Sequence, residues 1–183
     1  SEQCTDCPVG TYGTKVVAVQ ADDCIKCDPG TANPSSGATA STACSQCTAG
    51  RYQPAPGSAS CIACDAGTYG DQAKQTSAGT GTGDGCKKCA AGTYSGASGL
   101  NGDCNKCPIG RFSATPGLTS VDACSKCPAG KRGKTSGQAS EDAGCSSCLA
   151  GASYQDQTGQ ASCIPDVCEA GKNATAVSTN PNK

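Results

Sequence analysis

The chain has 183 residues, 18 of them cysteine, and a formal net charge of −1 from 14 basic and 15 acidic side chains. Val, Ile, Leu and Phe together number only 15. That is too few to pack an ordinary core at this length, so covalent cross-links or metal must hold any fold, and a conventional α/β enzyme, a helix bundle and a transmembrane segment are excluded. The absence of His, Met and Trp removes the commonest general base and metal ligand, and the balanced charge points to neither nucleic acid nor an anionic membrane.

Read along the chain, the cysteines fall in nine pairs. Eight are C-x-x-C: Cys4/Cys7, Cys24/Cys27, Cys44/Cys47, Cys61/Cys64, Cys86/Cys89, Cys104/Cys107, Cys124/Cys127 and Cys145/Cys148. The ninth, Cys163/Cys168, has four residues between its members. First cysteines are spaced 20, 20, 17, 25, 18, 20, 21 and 18 residues apart, which is the signature of an internal repeat. Three positions after each second cysteine stands a glycine: Gly10, Gly30, Gly50, Gly67, Gly92, Gly110, Gly130, Gly151 and Gly171. Two positions further on comes an aromatic in five repeats, Tyr12, Tyr52, Tyr69, Tyr94 and Phe112, while Tyr154 falls one position late in its own repeat. The unit therefore reads C-x-x-C-x-x-G-[TR]-[YF].

The glycine marks a backbone site needing positive φ or a close approach. Pro8, Pro29, Pro108 and Pro128, one or two positions before it, pre-set a turn. The aromatic, the one large apolar group per repeat, is expected to stack on the next disulfide or the next repeat. Short β-ladders of two to four residues are expected around the Thr-Tyr positions, with almost no helix. Val16-Val17-Ala18-Val19 is the best further strand candidate. The Ser/Thr/Gly/Ala-rich segments 34–43, 76–85 and 95–102 read as solvated turns. The whole is expected to be a small disulfide-rich repeat protein, an elongated rod of about nine units over residues 1–174 followed by a polar tail, 175–183. The chain has no initiator Met and no signal-like apolar stretch, so it is expected to be a mature or trimmed form.

Paired C-x-x-C motifs at this spacing also suit zinc. Against zinc, nine pairs leave one pair over at four thiolates per site, and no His supplies an alternative ligand. Low-charge loops and a cysteine density of this order suit an extracellular disulfide framework. A thioredoxin-like redox motif needs a single C-x-x-C at a helix N-terminus, not eight in a helix-poor repeat. Two connectivities satisfy the spacing. In a ladder, the second cysteine of each pair bonds the first of the next: Cys7–Cys24, Cys27–Cys44, Cys47–Cys61, Cys64–Cys86, Cys89–Cys104, Cys107–Cys124, Cys127–Cys145 and Cys148–Cys163, leaving Cys4 and Cys168 unassigned. In an interleaved scheme Cys4–Cys24 accompanies Cys7–Cys27, and so on, leaving Cys163–Cys168. The repeat shows no two-unit alternation, which favours the ladder.

The segments CPVGTYG, CDAGTYG, CAAGTYS and CPIGRFS, each preceded by Cys-x-x, resemble the cysteine-rich repeats of ciliate surface immobilisation antigens. They are also similar to ephrin-receptor-like and tumour necrosis factor receptor cysteine-rich modules. The latter resemblance implies the ladder, since in those modules the cysteine before x-x-G-x-Y bonds the first cysteine of the following pair. The ciliate resemblance implies a GPI-anchored, glycosylated coat protein of cell and cilia. The sequence shows no hydrophobic C-terminal tail, so the anchor is implied and not read from residues.

Asn173 heads the one ordinary N-glycosylation sequon, Asn173-Ala174-Thr175. Asp22-Asp23 and Glu141-Asp142 read as solvated turn residues, since calcium needs six or more oxygens at a defined spacing, and Lys87-Lys88 and Lys131-Arg132 read as short solvent-facing basic patches. No Ser/His/Asp or Cys/His set exists, so no catalytic residue, cofactor, metal or small-molecule substrate is expected. The expected role is a non-enzymatic extracellular coat or antigen whose partners are neighbouring copies or other coat proteins and a lipid anchor, without nucleic acid. An extracellular ligand-binding receptor-like module and a repeat subunit of an extracellular filament are the alternatives.

Overall fold

A computed structural model of the chain describes residues 5–14, 23–79, 85–149 and 153–165. Cys4, the Val16–Val19 strand candidate, Gly151, Cys168, Gly171, Asn173 and the polar tail lie outside the described residues.

The fold is a series of eight antiparallel hairpins, each with two very short strands. The strands are β1 Thr11–Tyr12, β2 Ile25–Lys26, β3 Thr31–Ala32, β4 Ser45–Gln46, β5 Arg51–Tyr52, β6 Ile62–Ala63, β7 Thr68–Tyr69 and β8 Lys87–Lys88. They continue with β9 Thr93–Tyr94, β10 Asn105–Lys106, β11 Arg111–Phe112, β12 Ser125–Lys126, β13 Lys131–Gly133, β14 Cys145–Ser147, β15 Ser153–Tyr154 and β16 Ile164–Pro165. Odd strands pair with the next even strand. The [TR]-[YF] dipeptide of one repeat thus pairs with the two residues inside the next C-x-x-C, as in Thr11 opposite Lys26 and Tyr12 opposite Ile25. Helix is confined, among the described residues, to α1 Glu141–Gly144 and two 3₁₀ turns, Ser41–Ala43 and Val121–Ala123. Ser140 and Ser120 cap two of these by accepting from the Ala143 and Asp122 amides. The expected short ladders and near absence of helix are what the structure contains.

Each hairpin is closed by a disulfide, from Cys7–Cys24 to Cys148–Cys163. Two-residue strands cannot hold a hairpin together in water by themselves, and the cross-link supplies what the ladder lacks. Adjacent hairpins are joined by backbone hydrogen bonds that recur with the repeat. Gly13 N donates to Ala38 O at 2.8 Å, and its equivalents are Asn33 to Ser58, Gln53 to Gln75, Gly70 to Leu100, Ser95 to Leu118, Ser113 to Gln138 and Gly133 to Gln160. In the opposite direction Gly37 N donates to Cys7 O at 2.8 Å, a pattern repeated down to Gly159 N and Cys127 O at 2.9 Å.

Contacts also reach the next hairpin but one, which nearest-neighbour stacking does not anticipate. A β-carbon added to Gly10 in the first hairpin would stand 2.1 Å from Gly57 O in the third. The same approach recurs between Gly50 and Gly99, Gly67 and Gly117, Gly92 and Gly137, and Gly110 and Gly159. Each hairpin is therefore locked to two successors, and glycine is what lets the backbones meet.

The interior is made of sulfur and polar side chains. Cys27, Cys64, Cys89, Cys107 and Cys127 are fully buried. So are Asn33, Gln75 and Ser95, and Gln53, Ser113 and Gln155 are buried as well. These polar groups replace core hydrophobes by satisfying backbone. Asn33 Nδ2 donates to Thr11 O at 2.9 Å in the preceding hairpin, Gln53 Nε2 to Ser60 O at 2.7 Å, and Gln155 Nε2 to Ser162 O at 2.7 Å. The aromatics at Tyr12, Tyr52, Tyr69, Tyr94 and Phe112 are only half-buried, so they are not the core that the composition suggests. The segment 34–43 reads as solvated, yet it follows directly on the buried Asn33, whose Oδ1 accepts from Ser35 N at 3.0 Å.

Candidate functional site

The repeated surface of the hairpin stack is the feature with functional content, and it is built slot by slot. The turn glycines Gly10, Gly30, Gly50, Gly67, Gly92, Gly110 and Gly130 have φ between 79° and 86°. The next residue closes the turn. The hydroxyls of Thr11, Thr31, Thr68 and Thr93 donate to the carbonyls of Pro8, Asp28, Asp65 and Ala90, each three residues earlier, at 2.6–2.8 Å. Where Arg takes the slot it reaches across the hairpin instead: Arg51 Nη1 donates to Cys61 O, and Arg111 Nη1 to Val121 O and Cys124 O, all at 3.2 Å. The [TR] alternation is thus two solutions to one need, satisfaction of carbonyls at the hairpin base.

A second glycine series lies ten residues after the second cysteine: Gly37, Gly57, Gly99, Gly117 and Gly137, with Gly159 one position later in its own repeat. All have positive φ. Lys74 occupies the slot in the fourth hairpin, with φ of 60°. Each of these residues is covered by the side chain that precedes the second cysteine of an earlier pair. A β-carbon on Gly57 would be 3.1 Å from Lys26 Cγ, on Gly117 3.6 Å from Lys88 Cδ, on Gly137 3.1 Å from Lys106 Cδ and on Gly159 3.2 Å from Lys126 Cγ. Asp6 and Ala63 cover Gly37 and Gly99 in the same way. The lysine stems are packing elements, with their ammonium groups left at the surface.

The structure joins the cysteines as Cys7–Cys24, Cys27–Cys44, Cys47–Cys61, Cys64–Cys86, Cys89–Cys104, Cys107–Cys124, Cys127–Cys145 and Cys148–Cys163, with Cα–Cα distances of 5.5–6.0 Å. Among the described residues no group of three or more His, Cys, Asp or Glu is arranged to hold a metal ion.

Two of the charged pairs read as solvent-facing are instead tied down. Lys87 Nζ lies 2.7 Å from Asp71 Oδ2, and Lys131 Nζ lies 2.7 Å from Glu141 Oε1. Lys134 Nζ donates to Asp142 O at 2.6 Å. The hydrogen bond that Lys87 donates to Asp71 holds the Asp71 carboxyl below its ordinary value and Lys87 above its own, and the one that Lys131 donates to Glu141 raises Lys131. Lys88 and Arg132 are exposed, as read. The spacing analysis passes over the second glycine series, the buried Asn/Gln/Ser slot and the purpose of the Thr/Arg slot. The first of these is present in the sequence as a recurrence seven residues after most turn glycines. A cavity of about 220 Å³ is lined by Tyr12, Lys26, Asp28, Thr31, Ser41 and Lys74, among others. No helix among the described residues is long and apolar enough to cross a membrane.

Hairpins of two-residue strands, one disulfide apiece, stacked by backbone bonds around a sulfur interior, define a cysteine-rich repeat module. Residues 1–44 and 38–80, less than half of the chain, match the family described as tyrosine-protein kinase ephrin type A/B receptor-like, and over that region the chain is similar to those modules. No curated protein matches the chain. Disulfides in this number form and persist where the surroundings are oxidising.

Proposed function

We infer that the protein is a surface-coat component, a disulfide-braced stack displayed outside the cell, with neighbouring copies or other coat proteins as its partners. The observation that carries this reading is the division of labour within each hairpin. Half-cystines, turn glycines and buried polar groups make the stack, and the segments between them contribute little to the interior. Such segments tolerate sequence change, which suits an antigenic coat, while the cross-links resist unfolding and proteolysis. Anchoring through a C-terminal glycolipid and glycosylation at Asn173 belong to the same proposal.

The test is display on the surface of cells expressing the full-length protein. Release by a phosphatidylinositol-specific phospholipase and resistance to trypsin until a reductant is added are the expected results. Retention after phospholipase treatment would overturn the anchor, and rapid tryptic loss without reductant would overturn the coat. The match to receptor-like modules favours a second reading, a ligand-binding ectodomain. A single soluble ligand captured tightly and saturably would establish that reading in place of the coat.

A further inference from the structure

We propose that the hairpins closed by Cys64–Cys86, Cys89–Cys104 and Cys107–Cys124 present a binding track for a linear acidic polysaccharide, read by Lys88, Lys106 and Lys126. The proposal uses the extracellular setting and does not depend on the coat reading.

Four observations converge on it. First, charge is unevenly distributed although the total is near zero. Residues 1–79 hold seven acidic and four basic side chains, a net −3, whereas residues 80–149 hold five acidic and eight basic, a net +3. Second, Lys88, Lys106 and Lys126 occupy one structural slot in three consecutive hairpins, the last strand position before the second cysteine. These hairpins touch one another. The first is bonded to the second through Gly67 N and Ser95 O at 2.8 Å, and the second to the third through Gly92 N and Ser113 O at 2.8 Å. The first and third meet where a β-carbon on Gly67 would be 2.4 Å from Gly117 O.

Third, the stems of the three lysines are seated on Gly117, Gly137 and Gly159, which limits the rotamer entropy lost when their ammonium groups are engaged. Fourth, among the described residues none of the three has an ion-pair partner, although Lys87, Arg111 and Lys131 in the same region do. All three are exposed. Cations that recur in one slot of consecutive hairpins and have no ion-pair partner of their own mark a surface whose partner brings the opposite sign. A repeating series of single cations fits a repeating series of single anions. Outside the cell that means sulfates or uronates on a polysaccharide.

The experiment measures binding of the full-length oxidised protein to a heparin-type sulfated oligosaccharide by calorimetry over a range of salt concentrations. The test variant is K88Q/K106Q/K126Q, in which glutamine keeps the carbons that cover the glycines. A matched variant, K87Q/K131Q/K134Q, removes the same charge from the cations that already have partners. Free-thiol content and circular dichroism establish that both variants fold. Salt-sensitive binding of the native protein is expected, with affinity lost by about 100-fold in the first variant, about five-fold per lysine. The matched variant should retain affinity within about two-fold, and the salt slope should fall by about three counterions only in the first. Absence of binding near 0.1 M salt, equal weakening by both variants, or stronger binding to single-stranded DNA or to anionic phosphatidylserine vesicles than to the oligosaccharide would each overturn the proposal. The first of these outcomes would leave the lysines as guards of exposed strand edges.

Discussion

At the residue scale the two glycine series decide what can be changed. Gly92 and Gly130 hold the same slot with φ of 79° and 84°, but their surroundings differ. A β-carbon on Gly92 would stand 2.4 Å from Gly137 O, whereas one on Gly130 meets nothing within 4 Å. G130A should therefore cost about 1 kcal/mol for the left-handed backbone alone. G92A should cost about 2 kcal/mol more, because a neighbouring backbone must move. Chemical denaturation of the two variants measures the difference, and equal values would show that the approach of Gly92 to Gly137 does not matter. Lys74 is the converse case, a side chain where six other hairpins use glycine. K74G should stabilise by about 0.5–1 kcal/mol, the relief of strain exceeding the added chain entropy, seen as a higher denaturation midpoint. The first glycine slot is plain in the sequence because it sits beside the cysteines. The second keeps a fixed offset in most repeats but no cysteine adjoins it, and one member is a lysine, so it reads as ordinary turn glycine.

At the scale of the hairpin, one disulfide carries most of the closure. Replacing Cys107 and Cys124 by alanine opens a loop of sequence separation 17 and should cost about 3 kcal/mol. Because contacts extend only one and two hairpins along, the damage should stay local. Limited proteolysis of this variant should cut first between 107 and 124 and spare the hairpins nearer residue 30; uniform cleavage would mean that the stack unfolds as one unit. The ion pairs add a pH signature. Asp71 has a depressed pKa when folded, through its hydrogen bond to Lys87, so its contribution is complete above the ordinary aspartate value of about 3.9 and is lost as pH falls through the depressed value. Lys87 and Lys131 are raised, so their contribution is complete below the ordinary lysine value of about 10.4 and is lost as pH rises through the raised ones. With no histidine in the chain, stability should be flat from about pH 5 to 9. A thermal-melt series across that range checks it, and a step near neutrality would contradict it. The ladders themselves are legible, since Thr-Tyr and the C-x-x-C dipeptide recur at fixed offsets. The ion pairs are not legible, because Lys87 and Asp71 are 16 residues apart and meet only once the hairpin closes.

At the scale of the molecule, the period and the shortage of aliphatic side chains make a cross-linked repeat readable before any coordinates. What fills the interior is not readable. Asn33, Gln53 and Gln155 look like loop residues in sequence, and their burial becomes sensible only when neighbouring carbonyls need donors. The reach to the next hairpin but one is hidden for the same reason, since it is made by backbone meeting backbone at glycine.

The central claim is that oxidised sulfur, together with inter-hairpin backbone bonds, replaces an apolar core and any metal. The most direct measurement is the hydrodynamic radius of the purified protein, followed through addition of a phosphine reductant and, separately, of a metal chelator. The account predicts a change from a compact native species to the dimensions of an unfolded chain with reductant, and no change with chelator. A species that keeps its dimensions under reductant and expands under chelator would contradict it.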